Sequence, residues 1–466
     1  MSYNNYIFSK FAHTYNKDGI CAHYNALRLR PVYISQNTSE SLEKVISGKI
    51  AINSLPIEQQ SIVNNAISEL VKNKILVPNS GYDETVLNKY RALANKPSIK
   101  IAYFIMTDKC NFNCSYCFIQ KEQQKSKKPF IGNMSKKTAL ASLDLYLNFI
   151  DDGETDDDKI IIFYGGEPLI NFETIKTVVD KVFKLRESGE LTTKFEMAVI
   201  TNGSLLNDQN IQYLKEHNVG IGISVDGDEL VTNSNRKYND GSSTYHDIMD
   251  GINLCKKHKC DDFSLSVTIS EECLNNFDST MSFIEKNVNS KNIGFNILMN
   301  TGENIENDEY AVKASEFLIK AFKRFRENGI YEDRMMRKVK AFVDGKVHLF
   351  DCAATGANQF VIAPDGQIGI CHGFLGTKTF FSDNVFNQSF SPEKNEDFCE
   401  WAKRTPVNIP ECLECEAIGI CGGGCPFNSY QASKNIWELD RRFCTHTKTT
   451  MKWLIWDLYD QAQKGS

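Results

Sequence analysis

Between residue 100 and about residue 300 the chain alternates short apolar runs with longer amphipathic stretches. The runs are 101–106, 160–164, 197–200, 221–225, 265–269 and 293–298. Apolar runs of this length, spaced by helical segments, predict parallel strands joined by right-handed βα crossovers. Six such units would close into a TIM-like barrel or a partial one, an α/β fold with its chemistry at the C-terminal ends of the strands.

The flanks read differently. Residues 26–34 alternate with period two, which predicts a half-buried strand. Two helices follow, one capped at Ser39 and ending at Gly48, the other behind Pro56 over 57–71. The second carries Ile62, Val63, Ala66, Ile67, Leu70 and Val71 on one face. A short strand at 75–77 closes this winged-helix-like unit, and polar residues 79–96 predict a linker. Residues 308–328 predict one amphipathic helix leading out of the barrel. Beyond Lys346 glycine, proline and cysteine displace the periodic pattern until a helix near 447–463. The shifts divide the chain into 1–95, 96–305, 306–345 (a bridging helix), 346–450 (cysteine-rich) and 451–466 (a terminal helix). The acidic stretch 151–158 predicts a solvated loop.

Composition narrows the class. A chain of 466 residues with 41 % hydrophobic and 24 % charged residues is globular and multi-domain. Its net charge of −6 argues against a nucleic-acid partner. No apolar run reaches the roughly 18 residues of a membrane helix, and the first residues carry no export signal, so a cytoplasmic protein is expected. The 15 cysteines are the informative excess. In a reducing compartment, clustered cysteines predict metal ligands.

Cys110, Cys114 and Cys117 follow the first predicted barrel strand directly, on the catalytic rim. Three thiolates this close can hold three irons of a [4Fe–4S] cluster and leave the fourth without a protein ligand. An open position is what a catalytic metal needs. A zinc site completed by a distant residue is the alternative, although zinc cysteines usually come in short-spaced pairs.

This Cys-x₃-Cys-x₂-Cys motif, with aromatic Tyr116 before the last cysteine, resembles the radical S-adenosylmethionine superfamily. The resemblance implies that the open iron chelates S-adenosylmethionine, whose reductive cleavage gives a 5′-deoxyadenosyl radical. It extends to Gly165-Gly166-Glu167-Pro168 after the second strand, Asn202 after the third, and Ser224, Asp226 and Arg236 after the fourth. By that likeness Gly165, Gly166 and Glu167 meet the methionine amine, Asn202 lies on the ribose side, and Ser224 and Arg236 hold ribose and carboxylate.

A second set comprises Cys352, Cys371, Cys412, Cys415, Cys421, Cys425 and Cys444. Its spacing resembles the SPASM domain, the auxiliary-cluster extension of radical enzymes that modify peptides and proteins; a zinc ribbon would explain only Cys412 and Cys415. By resemblance, Cys412, Cys415, Cys421 and Cys444 hold a fully ligated outer cluster, and Cys352, Cys371 and Cys425 an inner one, three [4Fe–4S] clusters in all. Sulfatase-maturing relatives complete the inner cluster with a cysteine shortly after the first. Residues 353–359 contain none, and Cys399 reads as an inert thiol outside the pattern. Those relatives also place an aspartate base where this chain has His372, whose catalytic or structural role stays open. The segment 360–376 resembles that of maturases that make thioether crosslinks.

A winged-helix-like unit ahead of such an enzyme resembles the recognition element that captures the leader of a ribosomal precursor peptide along a strand edge. The leader would lie along 27–34 and the helix 57–71. The expected function is a radical S-adenosylmethionine peptide maturase, fed by an external one-electron donor, that installs a thioether or, close behind, a carbon–carbon crosslink. A formylglycine-generating sulfatase maturase is the alternative enzyme. An iron–sulfur electron-transfer protein without turnover is the alternative of another class.

Overall fold

The computed structural model describes residues 5–127, 129–150, 159–260, 262–299 and 308–464. The acidic stretch 151–158 lies outside them. The N-terminal unit contains β1 (Tyr6–Phe8), β2 (Ala12–Lys17), β3 (Ile20–Asn25) and β4 (Val32–Ser35). It continues with α1 (Gln36–Ile46), α2 (Ile57–Lys72), β5 (Leu76–Pro78) and α3 (Tyr82–Leu93). Strands β2, β3 and β4 form an antiparallel sheet, and β1 pairs antiparallel with β5. Leu42, Val63, Ile67 and Leu70 close the core between α1 and α2.

Three expectations for this unit change. The strand expected over 26–34 is confined to β4, because Asn25 folds the chain back first. Its side-chain oxygen accepts from Leu27 N at 2.9 Å, its carbonyl accepts from Arg28 N and Leu29 N, and Leu29 takes a φ of +56°. Ala26, Leu27 and Leu29 are buried against Ile418 and Ile420, so their apolar spacing reflects docking and not pleating. The first helix starts earlier than Ser39, because Ser35 Oγ caps it by accepting from Thr38 N at 3.2 Å. The expected linker 79–96 contains α3, which buries Leu87 and donates Arg91 Nε to Val407 O at 3.2 Å.

The six predicted barrel strands form: β6 (Ile101–Thr107), β7 (Ile160–Gly165), β8 (Glu196–Thr201), β9 (Val219–Ser224), β10 (Ser264–Ile269) and β11 (Asn292–Ile297). They are parallel and adjacent in chain order. Phe104, Phe163, Val199, Ile223, Val267 and Phe295 place fully buried side chains in the core they share. The sheet extends at one edge by β12 (Tyr331–Glu332). At the other edge it extends by β13 (Gln359–Ile362), β14 (Gln367–Gly369) and β15 (Phe381–Asn384). Strand β13 pairs in parallel with β6, Gln359 opposite Ile101. The cysteine-rich region thereby covers an edge that a partial barrel would leave unpaired.

The helix predicted over 308–328 is observed as Asp308–Asn328. It packs on the helix Arg441–Lys464, with Phe322 and Trp453 edge to face at 5.7 Å and Arg326 bound to Asp457 at 2.7 Å. That last helix was expected near 447–463. It begins at Arg441, so the 450/451 boundary falls inside it and Cys444 sits on its first turn. Among the described residues no helix is long and apolar enough to cross a membrane.

Candidate active site

The loop after β6 is held before its cysteines begin. Asp108 accepts from the backbone of Ile131 at 2.6 Å and Gly132 at 2.9 Å. Asn113 N then donates to Lys237 O and Ser115 N to Asn235 O, pinning the loop to the segment behind β9. Cys117 stands directly before the helix Phe118–Ser126, whose free N–H groups at Ile119 and Gln120 favour its thiolate. Phe112 N donates to Cys110 Sγ at 3.4 Å, and the Arg236 guanidinium faces Cys114. Burial opposes these donors and pushes the Cys110 and Cys114 thiols up to about 12. Such thiols reach the anionic state when a metal binds them.

Gly165 and Gly166 have a reason in the structure that the sequence did not show. Gly165 has a φ of +146°, and a Cβ there would stand 2.2 Å from Thr107 O. A Cβ on Gly166 would stand 2.1 Å from Lys109 O. The two glycines let the end of β7 cross the backbone that leads into Cys110. Glu167, fully buried, accepts from Thr201 Oγ1 at 2.7 Å, Leu169 N at 3.0 Å and Asn202 N at 2.7 Å. Burial raises its carboxyl to about 7 against these three donors. Asn202 in turn reaches Asn111 Oδ1 at 2.9 Å and lies 3.9 Å from Cys110 Sγ.

Arg236 grips Asp226 with two bonds, Nε to Oδ2 at 3.0 Å and Nη2 to Oδ1 at 2.9 Å. Tyr116 also donates its hydroxyl to Asp226 Oδ2, and Thr268 N donates to Oδ1 at 3.0 Å. The structure thus gathers Tyr116, Asp226 and Arg236 beside Cys114, with Ser224 at the end of β9. A cavity of about 330 Å³ opens next to them, walled by Ser115, Tyr116, Ser270, Leu298 and Arg442.

The C-terminal thiols sort into two sets. Cys412, Cys415, Cys421 and Cys444 lie within electrostatic reach of one another. Cys371 lies within reach of Cys352, and Cys425 of both. Cys399 stands apart, donating to Glu393 O at 3.1 Å. Among the described residues no three His, Cys, Asp or Glu side chains converge on one point as the ligands of a single ion do. A cluster takes one thiolate per iron and so suits donors spread around a larger group.

His372 lies between the inner thiols and the barrel. Its ring centroid is 5.0 Å from Tyr103, 5.3 Å from Tyr164 and 5.5 Å from Phe118, and Nδ1 is buried without a partner. Burial lowers its pKa to about 4, so the ring is neutral near pH 7.

Sequence reasoning missed Arg442, 6 % exposed with Nη2 unpartnered at the cavity wall, and the buried pair Lys338 and Asp351. The available signal was proximity in sequence, since Arg442 precedes Cys444 by two residues and Asp351 directly precedes Cys352.

Comparison with known proteins fits this geometry. Residues 104–284 match the Radical SAM superfamily. The chain is 25 % identical over 415 residues to the radical SAM cyclopropyl synthase TigE of Paramaledivibacter caminithermalis, covering 85 % of this chain and 83 % of that one. Two solved structures share the fold. AdoMet-bound anSMEcpe aligns with a TM-score of 0.65 and 18 % identity over 78 % of this chain and 99 % of its own. Streptococcus suis SuiB, bound to its precursor peptide SuiA, aligns with a TM-score of 0.52 and 12 % identity over 94 % and 99 %. The barrel and the rim triplet thus lie in a segment that matches the Radical SAM superfamily, and the chain, with its cysteine-rich C-terminal extension, is similar to SPASM-type radical SAM proteins.

Proposed function

We propose that the protein is a peptide maturase that closes an intramolecular bond in a ribosomally made precursor, using S-adenosylmethionine and three [4Fe–4S] clusters. The observation that carries the reading is the sorting of ten thiols into a rim triplet, a set of four and a set of three. Cys110, Cys114 and Cys117 would hold the cluster that an external one-electron donor reduces. Cys412, Cys415, Cys421 and Cys444 would hold the outer auxiliary cluster, and Cys352, Cys371 and Cys425 the inner one. When bound, the cofactor supplies a 5′-deoxyadenosyl radical that takes a hydrogen atom from the substrate.

The chain's own residues do the positioning. Tyr116 and Arg236, both tied to Asp226, form a rigid wall at the mouth of the barrel. Gly165, Gly166, Glu167, Asn202 and Ser224 line the neighbouring strand ends, where the cofactor would lie. Residues 1–95 would receive the leader peptide, and their docking on the outer cysteine loop would hold the substrate's core near the clusters. Reduced thiol ligands suit the cytoplasm.

For the bond itself, the likeness to a cyclopropyl synthase over most of both chains favours a carbon–carbon bond. A thioether is the second reading, supported by the inner set of only three thiols and by the exposure of Cys352, where a substrate sulfur could bind iron. Sulfatase maturation stands behind both, since His372 occupies the place of the expected aspartate and sits in an aromatic cage.

Anaerobic co-expression with a candidate precursor, followed by tandem mass spectrometry, tests the reading. Loss of two hydrogens with every cysteine still open to alkylation supports the carbon–carbon bond, and a blocked cysteine the thioether. Replacing Cys110, Cys114 and Cys117 by alanine should remove about a third of the bound iron and all 5′-deoxyadenosine formation. A reconstituted, reduced protein that forms no 5′-deoxyadenosine would sink the reading.

A further inference from the structure

The two C-terminal thiol sets meet at a backbone contact. Asp351 N donates to Gly422 O at 3.1 Å. Gly422 has a φ of +72°, and a Cβ there would stand 2.2 Å from Asp351 N. The residue before Cys352 and the residue after Cys421 are therefore pressed together.

A buried ion pair occupies this junction. Lys338, on the helix Asp333–Asp344, is fully buried, and its Nζ donates to Ile420 O at 3.3 Å. The same Nζ lies 3.6 Å from Asp351 Oδ1 and 4.6 Å from the centre of the Phe443 ring. Arg334 Nη1 lies 4.0 Å from Asp351 Oδ2, and Arg337 donates to the Asp351 carbonyl while pairing with half-exposed Asp333 at 3.1 Å. His348 and His446 close the surroundings, both held neutral by burial. Three cations thus surround the Asp351 carboxylate, and Asp333 and the buried Glu332 stand beside the two arginines. A fully buried cation such as Lys338 is costly unless anions offset it. Clusters ligated by thiolates are such anions, and their charge becomes more negative on reduction.

The pair has a direction. Its positive end lies at the carbonyl of Ile420, the residue before Cys421 of the outer set. Its negative end is the carboxylate of Asp351, the residue directly before Cys352 of the inner set. Arg337 donates to the carbonyl at that end and is shared with Asp333.

We propose that Lys338 and Asp351 set the order in which the two auxiliary clusters accept an electron, Lys338 easing reduction of the outer set and Asp351 hindering reduction of the inner one. A fixed positive charge stabilises the reduced, more negative form of its neighbour, and a fixed negative charge does the reverse. One electron moving from inner to outer set oxidises the first and reduces the second by one, with no proton transferred. Lys338 and Asp351 are positioning residues that bias this transfer outward. The inference rests on the proposed assignment of the seven thiols to two clusters.

The test uses the full chain with Cys110, Cys114 and Cys117 replaced by alanine, reconstituted anaerobically, so that only auxiliary signals remain. Potentiometric titration followed by electron paramagnetic resonance reads each midpoint, with Cys444→Ala and Cys371→Ala assigning the outer and inner signals. Lys338→Met should move the outer midpoint negative, Lys338→Arg should restore it, and Asp351→Asn should move the inner midpoint positive. Should Lys338→Met fail to assemble, Asp351→Asn alone still decides, since its inner midpoint must rise. Unmoved midpoints with both clusters present, or equal movement of both, would overturn the inference and leave the cluster assignment standing. Iron for fewer than two auxiliary clusters in the parent protein would overturn that assignment itself.

Discussion

Tyr24 donates its hydroxyl to the carbonyl of Glu416 at 3.0 Å, joining β3 of the N-terminal unit to the loop that follows Cys415. Four residues after that cysteine, a Cβ on Gly419 would stand 2.0 Å from Ala26 O. The unit that would receive a leader is thus seated on the loop of the outer thiols. Tyr24→Phe should cost about 1 kcal/mol, one buried hydrogen bond. Gly419→Ala has no room to relax and should cost about 1–3 kcal/mol. Limited proteolysis around residues 26–31 would report the loosened seat, and equal resistance in wild type and Gly419→Ala would contradict it.

Gly166 makes a comparable contact with the rim loop. Its missing Cβ is the space through which Lys109 O and Cys110 N pass. Gly166→Ala should displace the triplet and lose the iron of the first cluster while keeping auxiliary iron. Iron analysis beside the triple cysteine variant would check it; full iron content in Gly166→Ala would contradict the crossing.

Asp226 and Arg236 form a buried two-bond pair, 0 % and 6 % exposed. Arg236→Met leaves a buried carboxylate unpaired and should cost about 3–5 kcal/mol. Asp226→Asn in that background should recover part of the loss, because the uncompensated charge disappears. Thermal melts of the single and double variants measure both steps.

His23 supplies a pH signature of the N-terminal unit. The side chain is 1 % exposed, and its nitrogens meet Thr14 Oγ1 at 2.7 Å and Ser39 Oγ at 2.9 Å. Burial lowers its pKa from 6.5 to about 4. Between those values the unfolded chain binds a proton that the folded one refuses, so stability rises with pH across that window. It is fully present above the unfolded value and falls by up to about 3 kcal/mol as pH drops to the folded value. Urea midpoints between pH 4 and pH 7 should show this slope in wild type and a shallower one in His23→Gln.

The six barrel strands were legible because each sends at least every second side chain into the core, as Leu265, Val267 and Ile269 do on β10, which leaves a short apolar run between amphipathic stretches. The β2–β3 hairpin was not read, although Asp18 and Gly19 carry its turn signal at φ +50° and +75°. The strand before that turn, Ala12–Lys17, is half exposed and mostly polar, so its alternation is faint. Helix α3 was hidden for a similar reason, with Leu87 alone fully buried on it.

The spacing of ten cysteines along the chain is a covalent property, and it alone pointed to the rim triplet and the seven-cysteine extension. The tertiary structure decided what lies between them. Lys338 meets Asp351 and Ile420, and Tyr24 meets Glu416, only because helices and loops distant in sequence pack together. Neither pairing leaves a local pattern, since an isolated lysine or tyrosine looks the same in sequence whether it faces water or a buried carboxylate. Gly165 and Gly166 belong to both levels: the motif marks the turn, and the fold shows that the crossing backbone of Thr107 to Cys110 fills the space a side chain would need.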